Sequence, residues 1–456
     1  KEGYNWANQE VDYRVGSSKE NVDFSNAVTY NLVDGKIEKT KLKKEGEFLE
    51  KVNRYWDRKK ITMPNVKEGS VIEYQYTVRS SNIGSLRDWN FQTSIPVNYS
   101  EYKTYIPEYF IYQTNQKGYV FPKVTVEKNP NKITFTSKER SGGDRIGNTK
   151  TTFSTETIDF IEAKTIHVGE NLPAMKEEAY VNNIDNYTSS ISYELSMTKY
   201  PNEPLKPYSS DWNAVVKTIY DYEDFGPELN KTGYFEDDLK TVLSGLTTAD
   251  EKIKAILNYV KTNVKWNNYY GYSCNDGVKK AYKDKTGNTA EINLMLTAML
   301  RYANLPANPV LLSTRSNGIA AFPNRTAFNY VIAAVETPTG FILLDASDKF
   351  STPNVLPFRA LNWVGRLVRK DGTSDQVNLM PKKVSTSSIM MNYSVDANGL
   401  VTGKLRKQQT EYNAMIFRDD VASINEDAYL EKLENRSNNI DIKEYSRNNE
   451  ANLELP

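Results

Sequence analysis

The chain has one cysteine, Cys274, and one histidine, His167, in 456 residues. A single cysteine excludes an intrachain disulfide. One His and one Cys cannot build a nitrogen–sulfur metal site, and no loop carries the EF-hand spacing, so neither metal nor cofactor is expected. No run of 18 apolar residues occurs, which excludes a transmembrane helix. Charge of one sign is also missing. The 58 basic and 58 acidic side chains cancel and are interspersed, leaving no electrostatic footprint for nucleic acid. No CxxC, GxGxxG or P-loop pattern and no internal repeat is present.

What is plentiful is aromatic. Tyrosine alone accounts for 31 residues, which suits sheets with one wet face and also peptide- or glycan-binding surfaces. Residues 1–200 read as a β-rich domain. Asp34-Gly35 sits between extended arms, a hairpin signal. In Val71–Val78, Ile72, Tyr74, Tyr76 and Val78 alternate with polar residues, which predicts one buried face. Lys132–Ser137 and Lys150–Ile158 continue the strand pattern. Short strands between turns predict an antiparallel β-sandwich.

The Pro-rich stretch Tyr200–Trp212 reads as a linker, and helical periodicity begins after it. Thr248 and Glu251 form a capping box, followed by Ile253, Ile256, Tyr259, Val260 and Val264 on one helix face. Asn275–Lys285 holds a short helix. Asn288 and Glu291 form a second capping box, opening an apolar helix. Strands follow at about 308–314, 328–336 and 341–346. Residues 379–456 return to β, with an Asn398-Gly399 hairpin and one exposed helix at Asn425–Arg436. The fold class expected is therefore multidomain α+β, with a 1–200 β-sandwich, a 211–378 α+β core and a 379–456 β-rich domain.

The phrases Gly287–Arg315, Phe328–Val335 and Phe341–Asp348 resemble the core of a transglutaminase-like, papain-like domain. The resemblance implies a nucleophilic Cys opening the helix, a His on the next strand and an Asp on the strand after. Here those positions hold Thr289, Tyr330 and Asp345. Cysteine acyl transfer needs a thiolate at a helix N-terminus and an imidazole beside it. A threonine hydroxyl is unactivated, and a phenol with a pKa near ~10 is a poor base near neutrality. An internal Thr also lacks the N-terminal amine that threonine proteases use as base. Thr289 therefore reads as the first residue of a capped helix. Cys274 reads either as a displaced nucleophile or as an inert thiol, and His167 either as a relocated base or as a strand histidine. The catalytic set is expected to be empty.

Four further phrases, Thr29–Leu42, Ile61–Val78, Asp88–Tyr102 and Glu170–Tyr187, are similar to an N-terminal module of unknown function. That module commonly precedes a transglutaminase-like domain in envelope proteins of Gram-negative bacteria. The resemblance implies a periplasmic, outer-membrane-associated or secreted location, and association with an outer-membrane complex. It makes a protein, peptide or glycan the expected partner. Contacts are expected from Trp266, Tyr269 and Tyr270 on one rim of the old cleft. Arg315, Phe322 and Arg325 are expected on a loop arching over it. The alternative is a hydrolase using the carboxylates Glu291, Asp345 and Asp348.

Overall fold

A computed structural model describes residues 2–16, 19–53, 55–141, 150–208, 211–436, 440–453 and 455. The chain divides into two compact units.

The first unit is Lys1–Asp88 with Tyr112–Thr114 and Ser192–Leu195. It holds two antiparallel three-stranded sheets. One has the order Asn8–Arg14, Trp56–Thr62, Glu47–Lys51, and the other Lys36–Lys41, Asn21–Val33, Val71–Arg79. Ala7, Ala27, Ile61 and Met63 form its buried core, with Phe24, Ile72 and Tyr74 packed against them. The Asp34-Gly35 turn is present, with φ of 50° and 75° at its two residues, the positive angles that a tight two-residue hairpin demands. Tyr76 departs from expectation. It remains 42% exposed, with the Phe24 ring tilted against it at 5.8 Å.

In the second unit the strands Val97–Pro107, Lys150–Leu172 and Lys123–Ser141 form a sheet with the middle one central. Pairing with Val97–Pro107 ends at Glu162. Beyond it the other two strands continue as a two-stranded ribbon. The alternation there predicted a buried face, but Ile133, Phe135 and Phe153 are exposed, and among the described residues only two strands make up the ribbon. The expected linker folds back. Lys206 and Pro207 pair with Thr198 and Met197, while Ser209 and Ser210 lie outside the described residues.

The heart of this unit is the helix Thr289–Tyr302, in which Thr289 through Leu300 are all buried. A helix buried on every side belongs inside a core, and its few polar side chains, Glu291, Asn293 and Thr297 among them, are hydrogen-bonded there. It packs on a five-stranded antiparallel sheet ordered Gly340–Leu344, Tyr330–Thr337, Ala307–Leu312, Val364–Val368, Ser374–Asn378. Strand periodicity sorts the sheet into two faces. Val331, Ala333, Val335 and Leu344 join the helix in one cluster, while Tyr330, Ile332, Ala334 and Leu343 join Leu356, Ala360 and Leu361 in another. Both predicted capping boxes are formed, Thr248 with Glu251 and Asn288 with Glu291.

Residues 379–456 hold the Asn398-Gly399 hairpin, between Ser387–Val395 and Val401–Gln409, and the exposed helix Glu426–Arg436. A further helix, Glu411–Ala422, was not anticipated. Its Met415 packs with Phe350 and Val355, and its Tyr412 hydroxyl accepts from Leu356 N at 3.1 Å. That tertiary contact overrides a local pattern with little amphipathic signal. No described helix is long and apolar enough to cross a membrane.

Candidate functional site

The helix Thr289–Tyr302 begins with both termini of its first turn accounted for. Asn288 accepts from Glu291 N at 2.8 Å, and Glu291 Oε2 accepts from Asn288 N at 2.8 Å. Glu291 Oε1 also accepts from Asp276 N at 2.6 Å and Gly277 N at 3.1 Å. Its carboxylate thus caps the helix and clamps the preceding loop. Three backbone N–H groups take most of the roughly four acceptor sites of this buried carboxylate, so its lone pairs serve the fold and not a substrate.

Thr289 is wholly buried. Its hydroxyl donates to Gly271 O at 2.8 Å and accepts from Gly271 N at 3.0 Å, while its own N–H donates to Tyr269 O at 3.3 Å. The side chain therefore behaves as a staple between the helix start and the segment 269–271. That segment is drawn in by the short parallel pairing of Lys265-Trp266 with Thr286-Gly287.

Tyr330 opens its strand on the face away from the helix, and it too is wholly buried. Its hydroxyl donates to Asp345 Oδ2 at 2.7 Å, lies 2.7 Å from Ser347 Oγ, and accepts from Arg359 Nε at 3.0 Å. Asp345 Oδ1 accepts from Asn293 Nδ2, Ser347 N and Ser347 Oγ at 2.9, 2.9 and 2.7 Å. Arg359 also reaches Asp348 at 3.4 Å and stacks its guanidinium 4.4 Å from the Trp266 ring. Trp266 in turn stacks on Tyr270 at 5.3 Å, and Tyr270 meets the Tyr330 ring at 5.7 Å. The 266–271 segment therefore holds Thr289 with its backbone and covers Tyr330 with its rings.

The electrostatics agree with closure. Burial, reinforced by Asp345, pushes the Tyr330 phenol well above its ordinary value. Burial also raises the Asp348 carboxyl and pulls Lys261, whose amine donates to Ser351 O at 2.6 Å, down to about 8. Cys274 is buried. Burial, with Glu291, Glu228 and Asp224 nearby, pushes its thiol well above the usual range, the opposite of what a nucleophile needs. His167 is a buried strand histidine whose ring neighbours are Phe91 at 6.4 Å and Tyr102 at 6.2 Å. Burial lowers its pKa.

The structure thus brings Trp266 and Tyr270 to the Tyr330–Asp345 network, with Tyr269 exposed beside them. Arg315 stands elsewhere, stacked 4.1 Å over the Phe358 ring. Phe322 is exposed and Arg325 half-buried. The loop that carries these three is tied by Asn362 Nδ2, which donates to Ser313, Thr314 and Gly318 carbonyls at 3.0, 3.2 and 2.8 Å. Arg359, Ser347 and Asn293 escaped the sequence reading. No motif surrounds Arg359, and its role exists only because the fold lays it between Trp266 and Tyr330.

Residues 238–346 match the transglutaminase-like superfamily, and residues 1–142 match a domain of unknown function with solved structure, DUF3857. No curated protein matches the chain. Among solved structures, a candidate protease from Parabacteroides distasonis ATCC 8503 is 13% identical with a TM-score of 0.54, covering 83% of this chain. This chain spans 66% of that protein's length. A candidate cysteine protease from Cytophaga hutchinsonii is 10% identical with a TM-score of 0.22, over 69% of this chain and 92% of that one. The chain thus carries a region, residues 238–346, that matches the transglutaminase-like superfamily, preceded by a region, residues 1–142, that matches DUF3857.

Proposed function

We propose that this protein is a non-catalytic transglutaminase-like module of the bacterial cell envelope that binds or scaffolds a protein, peptide or glycan partner. One observation carries the reading. The nucleophile and base positions hold Thr289 and Tyr330, and both hydroxyls are fully engaged inside the fold. Neither the lone thiol nor the lone imidazole joins them. The carboxylate hydrolase alternative loses support because Glu291 is a cap and a clamp, and Asp345 is saturated by buried donors. A peptide partner fits a fold shared with a candidate protease. Trp266, Tyr269, Tyr270, Arg315, Phe322 and Arg325 remain the proposed contact residues. The periplasmic or outer-membrane location follows from the sequence resemblance.

The test is chemical cross-linking of the tagged full-length protein in its own cells, followed by affinity purification and mass spectrometry. A stoichiometric envelope partner is expected, captured equally by wild type and Thr289→Ala. Recovery alone from the cytosol, or capture that vanishes in a Thr289→Ala protein that keeps the wild-type Tm, would contradict the reading.

A further inference from the structure

The two-stranded ribbon is a sheet that loses one strand part-way. Lys123–Ser141 and Lys150–Leu172 pair in unbroken register, while Val97–Pro107 leaves at Glu162. Glu108 adds one more rung. Its N–H donates to Ile161 O at 2.9 Å, and its Oε1 accepts from Ile161 N at 2.9 Å. The N–H and C=O of Ile161 therefore face the side that the third strand leaves. Strand alternation puts those of Asp159, Thr157, Thr155, Phe153 and Thr151 on the same side. Tyr109 Oη donates to Asp159 O at 3.2 Å. From Thr157 to Thr151 that side meets no other strand among the described residues, and Thr152 through Thr157 are exposed. A cavity of about 550 Å³, lined by Glu108, Lys132, Asp159 and Phe160 among others, marks where the empty slot begins.

The two edges of the ribbon differ in chemistry. The outer edge, Lys123–Ser141, carries Pro130 and the lysines Lys123, Lys128, Lys132 and Lys138, the residue types that keep strand edges from pairing. The inner edge from Thr151 to Ile158 has no proline and one charge, Glu156. Its other residues, Ser154 aside, are β-branched or aromatic. An open edge of that composition is a template for another strand.

The segment's own symmetry selects the strand. An antiparallel partner sets outward-facing residues against outward-facing residues. A second copy of the segment does so about a twofold axis through Thr155, using the whole open stretch. Thr155 then meets its symmetry mate, Phe153 meets Thr157 and Thr151 meets Asp159, with Thr152 against Ile158 and Ser154 against Glu156 between them. No like charges oppose, and aromatic meets β-branched. About eight to ten backbone hydrogen bonds form, the number a typical protein interface carries. We propose that this protein forms a twofold-symmetric dimer by pairing Thr151–Asp159 with the same segment of a second copy, joining two ribbons into one four-stranded sheet. The ribbon lies outside the Thr289–Tyr330 network, so the fate of the catalytic reading does not bear on this edge.

The experiment is sedimentation equilibrium of the full chain, with oxidative cross-linking of cysteine variants. Across a hydrogen-bonded antiparallel pair the Cα atoms stand about 5.5 Å apart, within disulfide reach. Thr155→Cys is therefore expected to give a disulfide-linked dimer under mild oxidation. Thr152→Cys is not, because its symmetry mate lies ~20 Å along the strand. The wild type is expected to be a reversible dimer. Thr155→Pro removes an N–H that the ribbon itself does not use, and should weaken the dimer roughly tenfold with the circular dichroism unchanged. A wild type that stays monomeric, whether or not a different chain occupies the edge, would overturn the proposal. So would a dimer that Thr155→Pro leaves intact, or equal cross-linking of Thr155→Cys and Thr152→Cys.

Discussion

Replacing Asp345 by Ala is expected to destabilise the core that contains it by about 3–5 kcal/mol, the range for breaking a buried charged network by removing one member. The carboxylate accepts from Asn293, from Ser347 twice and from Tyr330. Without it the Ser347 N–H, the Ser347 hydroxyl and the Tyr330 hydroxyl lose a buried acceptor, each costing roughly 1–3 kcal/mol when left unmade. Arg359, stacked beneath Trp266, would keep Asp348 at 3.4 Å as its carboxylate partner. The measurement is the denaturation midpoint of this core, with hydrogen exchange of 345–351 to localise the loss, because a chain of several units need not unfold in one step. A loss below about 1 kcal/mol would mean that water reaches these donors and the site is open. This also explains why the acid persists beside a tyrosine instead of a histidine. Asp345 orients no imidazole here; it is the acceptor around which the loop 345–351 folds.

Replacing Glu291 by Ala is expected to cost about 3–4 kcal/mol, since three backbone N–H groups, of Asn288, Asp276 and Gly277, depend on one buried carboxylate. Glu291→Gln keeps an acceptor oxygen and should lose less than half as much. Thermal unfolding of the two variants separates structure from catalysis. A general acid or base would show the reverse, with Ala and Gln both well folded and a reaction lost in each. Wild-type stability in Glu291→Ala would therefore reopen the hydrolase alternative.

The parts legible in the sequence are those decided by a few adjacent residues. Asn288 with Glu291 and Thr248 with Glu251 announce their helices because capping is local hydrogen bonding. Asp34-Gly35 and Asn398-Gly399 announce hairpins because the turns need positive φ. What stayed hidden is what distant segments decide. Ile133 and Phe135 alternate like a buried face, yet the third strand that would border them ends at Pro107. Glu411–Ala422 is a helix because Phe350 and Val355 receive its Met415. The site divides the same way. Thr289, Tyr330 and Asp345 are readable as positions. Arg359 and Asn293 become visible only when 293, 330, 345 and 359 meet in space. The loop bearing Arg315 was expected to arch over the cleft. Its Arg315 instead lies on Phe358, and asparagines from elsewhere in the chain fix the backbone around it.

The central claim of the proposal is that no acyl transfer occurs at Thr289, the position where the resemblance to the transglutaminase-like core implies a nucleophile. Its most direct test is hydrolysis of an activated ester, p-nitrophenyl acetate, by wild type, Thr289→Ala and Cys274→Ser across pH 6 to about 9, where a catalytic imidazole or thiolate would titrate. The account predicts the same background rate for all three. Turnover in the wild type that disappears in Thr289→Ala or Cys274→Ser would contradict it.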